Sequence, residues 1–473
     1  MGSRRAARGK EDGGSVLLDR KDGKGSAPEI VLGGRVPGSI EARIEEIAGK
    51  PVMFISSTPS PHKGALTEED GHKMAAAVRK ATQLELPIVL LLSTSGASIH
   101  GGIASLHGWG AAAAAIASAS GVVPIIAGLH GPAVSGPALL LGLADVVITT
   151  PDAFAFVSGP DMVRGFTGVD VDAADLGGSY ALATRSGVSF LEASDLEEIL
   201  EQVEEILALL PRSTNQLPPF VASEDPADRE CAALEEIVPT SATGSYDVRE
   251  VIGEIVDDAY FLELRAAWAP QLVVGLARIA GNTVGILANQ PRVLAGTLDI
   301  PAAQKGGRFV RFCDAFNIPL ITLEDTPGFL PGKDVEWRGM IRHGAEMAFA
   351  YASCGVPRIC LIMRKAYGGA YIVMDSKGMG SDVVFAWPKA EIAVMGAQGA
   401  AQILMRRSTP DERKSYEEEY QERYLTPYVA AERGFVDDVI EPVKTRQAVA
   451  QALEMLLSKK ERIRNAKHAN SPM

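Results

Sequence analysis

Only four cysteines occur in the 473 residues: Cys231, Cys313, Cys354 and Cys360. None of their spacings is the close pair that a metal knuckle needs. Three sit in apolar surroundings, so they read as reduced, buried thiols in a cytosol-like compartment. Basic charge is also short, with 46 Lys and Arg against 59 Asp and Glu and a formal charge of −13. That deficit excludes a general nucleic-acid or membrane-surface binder, although a local basic patch could still hold a phosphate. No apolar run reaches membrane length without a break. The nearest, 122–150, is interrupted by Pro124, His130, Pro132, Pro137 and Asp145 and reads as buried core. Residues 1–27 lack an apolar h-region and are no secretory signal. Their arginines suit a mitochondrial address, but Glu11, Asp12 and Asp19 do not. The expectation is a disordered tail on a cytoplasmic protein.

What the chain does have is hydrophobic mass, at 47% of residues, and a length that suggests two domains. The expected boundaries are an N-terminal domain over 28–222, a connection over 223–246 rich in Pro, Ser and acid, and a C-terminal domain over 247–473. A strand pair is expected within 44–55. A helix starts at Thr67, with Asp70 three residues on as in a capping box, and runs to about 83. A buried strand over 88–92 leads to Gly96, Gly101-Gly102 opens a second helix, and the next strand is expected over 122–126. The small-residue core of that helix, 111–120, implies close packing on another element. An acidic helix over 195–210 is expected with Ser194 as its cap, a short helix near 231–237, and a hairpin turn at Gly281-Asn282.

The chain repeats itself. Leu86-Pro87 before one strand matches Ile318-Pro319 before another at an offset of 232, and Gly121 matches Gly355 at 234. Ala133-Val134-Ser135-Gly136-Pro137 falls on Ala366-Tyr367-Gly368-Gly369-Ala370 at 233, and Ala144-Asp145-Val146-Val147 resembles Ser381-Asp382-Val383-Val384 at 237. Four matches in order make two related domains. The fold class is α/β, with each half built of repeated strand–strand–helix units. The clearest chemical signal lies in the second half, at Arg364-Lys365-Ala366-Tyr367-Gly368-Gly369-Ala370-Tyr371. A buried strand that ends in Gly-Gly-Ala and turns into a helix presents bare backbone N–H groups. Fixed donors aimed at an oxygen that becomes negative form an oxyanion hole. One such turn per half implies a reaction with two oxyanions, or one working hole and one relic.

At these residues the chain resembles the carboxyltransferase (beta) subunit of biotin-dependent acyl-CoA carboxylases, of the propionyl-CoA carboxylase type. The match is carried by Gly296-Thr297-Leu298-Asp299-Ile300, by Lys305-Gly306-Gly307-Arg308-Phe309-Val310-Arg311-Phe312-Cys313-Asp314, and by Pro327-Gly328-Phe329-Leu330-Pro331-Gly332. Ile341-Arg342-His343-Gly344-Ala345, Val394-Met395-Gly396-Ala397, Gly434-Phe435-Val436-Asp437-Asp438 and Lys467-His468-Ala469-Asn470 extend it. The resemblance implies two tandem crotonase/ClpP-like domains, an active site between domains of different subunits, and a homo-oligomer, a hexamer. It implies a carboxyl group moving between biotin and the α carbon of an acyl-CoA. The biotin is carried on a partner, a biotin carboxylase/biotin carrier subunit, because this sequence holds neither a biotinyl-lysine motif nor an ATP-grasp half. By the same resemblance, Gly369 and Ala370 hold the biotin oxygen and Ser135 and Gly136 the thioester oxygen. Gly96, Gly101, Gly102 and Ile372 face substrate. Tyr367 and Phe329 either line the biotin slot or pack in the core. No metal is expected in this chain.

The first half departs from the pattern. Ser93-Thr94-Ser95-Gly96-Ala97-Ser98 stands where the family has Asp-Ser-Gly-Gly-Ala-Arg, and Ser135-Gly136-Pro137 where it has Gly-Gly-Ala. Pro137 has no N–H. If the donors sit one residue later, as the repeat suggests, this hole has lost one. Ile372 replaces a common aspartate. These departures keep two alternatives open. One is a catalytically altered or scaffolding paralogue with a degenerate acyl-CoA site. The other is a transcarboxylase or decarboxylase with a different acceptor. A biotin-independent thioester hydrolase is a weaker third. His343 is expected in a structural hydrogen bond, Arg308 and Arg311 in ion pairs, and His100, His107 and His130 at the surface or in packing.

Overall fold

The computed structural model describes residues 30–31, 38–58, 62–241 and 244–459. The tail expected over 1–27 and the motif Lys467-His468-Ala469-Asn470 lie outside the described residues. In chain order the strands of the first half are β1 (Ile30–Val31), β2 (Ile40–Ile47), β3 (Lys50–Ser57), β4 (Ile88–Thr94), β5 (Ile125–Val134), β6 (Val146–Thr149), β7 (Phe154–Phe156) and β8 (Leu191–Glu192). Those of the second are β9 (Phe261–Leu264), β10 (Leu272–Ile279), β11 (Asn282–Asn289), β12 (Leu320–Thr326), β13 (Arg358–Tyr367), β14 (Val383–Ala386), β15 (Glu391–Ala393) and β16 (Asp438–Val439). They form two sheets, ordered β1-β2-β3-β4-β5-β6-β8 and β16-β14-β13-β12-β11-β10-β9, with β7 against β5 and β15 against β13.

Both sheets follow one plan. An antiparallel hairpin, β2-β3 or β10-β11, opens the half, and every later strand joins in parallel. Strand starts 40, 50 and 88 recur at 272, 282 and 320, an offset of 232 each; 125 recurs at 358, an offset of 233, and 146 and 154 at 383 and 391, an offset of 237. The repeat extends to single bonds. Asp145 accepts the Ile125 amide at 2.9 Å and Asp382 accepts the Arg358 amide at 2.9 Å, so one carboxylate pins the start of the central strand in each half. All seven residues of β4 and all seven of β12 are buried, as parallel strands covered on both faces must be.

Local chemistry explains the element ends. Thr67 and Asp70 form the capping box of the helix Glu68–Leu84. Asp70 is also buried and accepts the Ile40 amide at 3.0 Å, which ties the helix start to β2. Ala280 (φ 49°) and Gly281 (φ 79°) make the tight β10-β11 turn, one residue before the expected Gly281-Asn282, because Asn282 already pairs with Ile279. The helix Ile103–Ala119 crosses Glu68–Leu84 with backbones in contact: a Cβ added to Gly108 would stand 2.7 Å from the Glu68 Cα. That is the close packing its small residues imply.

Three expectations are corrected. The cap of the helix Leu196–Leu209 is Asp195, whose Oδ1 accepts the Glu198 amide at 3.0 Å. Ser194 instead gives its amide to Glu198 Oε2 at 2.6 Å, as the residue before a reciprocal cap. The strand expected to stop near 126 runs on to Val134, because its far end pairs with β7 (Pro132 with Phe154). The short helix near 231–237 spans only Leu234–Ile237. Segment 223–246 is packed into the second half: Cys231, Leu234 and Tyr246 join the apolar cluster of Val248, Ile252 and Leu453, and Arg364 Nη1 donates to Ser241 O and Gly244 O at 2.9 and 2.7 Å.

The two halves share a core. Ile199, Val203 and Ile206 of Leu196–Leu209 belong to one apolar cluster with Leu272, Val274, Leu287 and Phe312 of the second half. Polar ties cross the same seam: Arg308 Nη2 to Ala144 O at 3.0 Å, Asn317 Nδ2 to Thr214 O at 2.7 Å, and Tyr260 Oη to Glu205 at 2.6 Å.

Two outcomes follow from this packing. Gly108→Val should lower unfolding stability by about 3 kcal/mol or more, because backbone, not a movable side chain, meets the new atoms; chemical denaturation reads it. Asp145 is buried beside Arg308, and burial pushes its carboxyl up to about 6. A carboxyl raised above its unfolded value contributes most when protonated. The stability of wild type relative to Asp145→Asn should therefore fall as pH rises from about 4 to about 6, then stay flat, in pH-dependent denaturation.

Candidate active site

The central strand of each half ends in a residue with positive φ, followed by a helical turn. In the second half Gly368 takes φ +62° and the helix Gly368–Val373 begins there. In the first half Ser135 takes φ +64° and the turn Gly136–Ala138 begins after it. A non-glycine residue held at that angle is costly and marks a constrained site. The matched angles set the register between the halves: Ser135 stands on Gly368, Gly136 on Gly369 and Pro137 on Ala370.

In the second half, the amides of Gly369 and Ala370 lie in the first helical turn, where no helix carbonyl reaches them. Neither donates to any other element. Gly369 is exposed and Ala370 buried, so the cradle is open at one residue and walled at the next. A Cβ on Gly369 would meet the Phe329 ring at 3.4 Å. Phe329 also packs on Gly344 of the helix Met340–Ser353 and so supports the turn from the side. Beneath it, Asp325 takes the Arg364 Nε at 3.0 Å, the Tyr246 hydroxyl at 2.9 Å and the Lys365 amide at 3.2 Å. This buried ion pair locks the ends of β12 and β13 together.

The first half differs where Ser135 and Gly136 were expected to supply the donor pair. Ser135 gives its amide to Phe156 O at 2.9 Å, holding β5 to β7, and so cannot serve an oxyanion. By the matched angles, the positions equivalent to Gly369 and Ala370 are Gly136 and Pro137. Pro137 has no N–H, which leaves Gly136 as the one unpaired amide of this turn among the described residues.

Each half also holds a second unpaired amide, which no residue pattern pointed to. The Leu66–Ala97 bridge uses the Gly96 carbonyl, which takes the Leu66 amide at 2.8 Å, and the Ser98 amide, which goes to Leu66 O at 2.8 Å. The Leu298–Phe329 bridge does the same with Gly328 and Leu330, at 3.1 and 2.8 Å. In both cases the middle residue, Ala97 or Phe329, keeps its own amide out of the bridge. The preceding amide is satisfied locally, Gly96 by Thr94 Oγ1 at 3.1 Å and Gly328 by Thr326 Oγ1 at 3.3 Å. Gly96 lies against the other loop, since its added Cβ would sit 3.5 Å from Ser135 Cβ. Both strands end in the same pattern, Thr-x-Gly-x, at Thr94-Ser95-Gly96-Ala97 and Thr326-Pro327-Gly328-Phe329.

The remaining candidates separate. Gly101 and Gly102 are exposed at the start of Ile103–Ala119, whose Trp109 ring lies 2.7 Å from where a Gly136 Cβ would be. Ile372 is exposed on the helix after the second turn. Tyr367 bonds Glu391 through its hydroxyl and packs under Gly396; burial first, then Glu391, holds the phenol protonated. His343 Nδ1 sits 3.2 Å from Glu346 and 3.3 Å from Gln304, a structural arrangement. Arg308 pairs with Asp145 at 3.7 Å. Among the described residues no cluster of His, Cys, Asp or Glu is set to hold a metal ion.

Duplicated strand–turn–helix cradles, each with a donor from a neighbouring bridge, define a protein of two tandem crotonase-like domains. Comparison with known proteins then gives the family. A carboxyl transferase domain model matches residues 36–471. The carboxyltransferase subunit of propionyl-CoA carboxylase from Haloferax mediterranei is 42% identical over 435 residues, covering 90% of this chain and 84% of that one. The methylmalonyl-CoA carboxyltransferase 12S subunit of Propionibacterium freudenreichii subsp. shermanii is 42% identical over 434 residues, 90% of this chain and 82% of that one. A crystal structure of the transcarboxylase 12S hexamer, with methylmalonyl-coenzyme A and methylmalonic acid bound, superposes with a TM-score of 0.90 at 41% identity, over 92% of this chain and 85% of that one. The chain belongs to the carboxyl transferase domain family.

If Pro137 removes a donor, Pro137→Ala restores one. The variant should raise kcat for carboxyl transfer roughly tenfold or more, since one oxyanion donor is worth about a hundredfold where measured. Steady-state kinetics with an unchanged rate would refute the register drawn here.

Proposed function

We propose that this chain is the carboxyltransferase component of a biotin-dependent acyl-CoA carboxylase. It moves a carboxyl group between biotin on a partner carrier protein and the α carbon of an acyl-CoA. The observation that carries this reading is the turn at Gly368-Gly369-Ala370, where two consecutive amides have no backbone partner among the described residues and the first belongs to an exposed glycine. A flat ureido group suits the exposed edge that Gly369, with no Cβ, leaves beside the Phe329 ring. Carboxybiotin supplies the activated carboxyl group and, once that group has left, a base. Gly369, Ala370 and Phe329 amides hold the ureido oxygen while it is negative. In the first half, the Ala97 and Gly136 amides hold the thioester oxygen as the α carbon is deprotonated. Neither turn presents a side-chain base, and on this reading none is needed. Negative charge forms on both partners and is met by fixed dipoles that need no reorganisation.

The acyl-CoA lies against the first half and the biotin against the second. Apolar side chains beside both turns are bare in the single chain: Ile99 at 92% exposure near the first, and Trp337 at 77%, Ile341 at 81% and Val394 at 76% near the second. Such a surface suits coverage by another copy, with the first half of one subunit facing the second half of its neighbour. By its likeness to the 12S transcarboxylase, the assembly is a hexamer. Four free, buried thiols suit a reducing compartment, and the cytoplasm is the location proposed.

One observation favours a second reading, a scaffolding paralogue: the donor lost at Pro137. Purified protein, mixed with a biotin carboxylase/carrier subunit and a series of acyl-CoAs, decides between them. The carboxylase reading expects bicarbonate- and ATP-dependent carboxylation of at least one acyl-CoA. It also expects Gly369→Val to lower kcat by about a hundredfold or more. Carrier binding with no turnover on any acyl-CoA would establish the scaffold instead.

A further inference from the structure

A cleft of about 340 Å³ opens on the seam between the halves, lined by Arg265, Arg308 and Arg311 with Ser186, Gln304 and Glu346. Three guanidinium groups around one cavity is an unusual concentration in a chain of net charge −13.

Arg265 is the group to explain. Its backbone amide donates to Phe190 O at 2.8 Å, and its guanidinium carbon lies 3.7 Å from the Phe190 ring centroid and 5.3 Å from that of Trp268. Trp268 is itself fixed against Gly187, where an added Cβ would meet the indole at 2.3 Å. Lys305 Nζ holds the loop from below through Arg265 O and Trp268 O, each at 2.9 Å. The side chain is therefore locked, yet its Nε is buried with no hydrogen-bond partner. Among the described residues no carboxylate pairs with it within 4.0 Å, and burial, reinforced by Arg308, lowers its pKa to about 9. A half-buried cation whose Nε has no acceptor is costly unless an anion reaches it.

The acids nearby are committed. Glu346 accepts from His343 Nδ1 at 3.2 Å, and Asp145, which pairs with Arg308 at 3.7 Å, already takes the Ile125 amide. The cleft keeps an excess of positive charge, presented as planar donor forks that match tetrahedral oxyanions.

We propose that this seam cleft binds a phosphate group, with Arg265, Arg308 and Arg311 as its donors, at a site separate from both oxyanion turns. The site bridges the halves: Ser186 comes from the first and the arginines from the second. Its occupant neutralises Arg265 and straps the two sheets together. The phosphate is either free in solution or borne on a nucleotide-type ligand, and the chemistry of recognition is the same.

The test is titration of the full-length protein with inorganic phosphate, and separately with coenzyme A and dephospho-coenzyme A, at constant ionic strength set by chloride. Binding is read by isothermal calorimetry and by the thermal unfolding midpoint. A saturable rise in midpoint is expected. Arg265→Gln should weaken binding tenfold or more, and Glu346→Gln should tighten it by removing an opposing charge. A phosphate response identifies a free anion. A response to coenzyme A that is weaker with the dephospho form, and that Arg265→Gln abolishes, identifies a ligand-borne one. If Arg265→Gln fails to fold, Arg311→Gln and Glu346→Gln still report in opposite directions. Absence of saturable binding for every probe, or equal affinity in wild type and the charge variants, overturns the site. None of these readouts depends on carboxyl transfer, so the proposal stands or falls apart from the catalytic one.

Discussion

The structure depends on a constraint at the end of a parallel strand. Once the chain leaves β5 or β13 it must turn through a left-handed residue before a helical turn can begin, and the amides that follow have no carbonyl to bond. Everything nearby either satisfies those amides or keeps them free. The Asp325–Arg364 pair fixes the strand ends, the Leu298–Phe329 bridge fixes the facing loop, and Gly344 gives the Phe329 ring room to close the side. Catalytic potential here is the deliberate non-satisfaction of backbone groups that elsewhere in the fold are paired.

Duplication lets each half act as a control for the other. At the same register and nearly the same φ, one half has Gly-Gly-Ala and the other Ser-Gly-Pro. Ser135 tolerates the strained angle because β7 captures its amide, which is a structural use of a group that could otherwise serve chemistry. Pro137 suits the turn it opens, since its ring fixes φ near the helical value, but it removes a donor. The first half has exchanged electrostatic strength for rigidity. The second has kept both amides and carries strain only at a glycine.

Much of this was legible from residues. The hairpins, the Thr67 cap and the duplication are written in local pattern, because apolar period and turn chemistry act over a few residues; the second hairpin's turn was misplaced by one residue, falling on Ala280-Gly281. The Gly369-Ala370 cradle was legible for the same reason, as strand, glycine pair and helix lie contiguous in sequence. The unpaired amides at Ala97 and Phe329 were not. Their amides are set free by bridges to Leu66 and Leu298, some thirty residues away, and no local signal distinguishes a bonded amide from an unbonded one. Likewise, the loss of Ser135 as a donor depends on Phe156, a partner that only the sheet brings near. The seam cleft was least legible: Arg265 sits in an ordinary-looking loop, and its isolation emerges only when Phe190 and Trp268 close over it.

The same reasoning bears on whether the first half can still be catalytic. An oxyanion hole with one donor removed loses about 3 to 4 kcal/mol of transition-state stabilisation, a large fraction but not the whole of what such a site supplies. Ala97 and Gly136 still present two amides from separate elements, which is a complete pair by number. The reaction also divides its charge between two centres, and the second centre is intact. A slower enzyme is therefore the physical expectation from Pro137, whereas an inert scaffold would require the Ala97 amide to be occupied as well. The bridge geometry at Leu66 argues against that, because it consumes the neighbours of Ala97 on both sides and leaves the residue between them free.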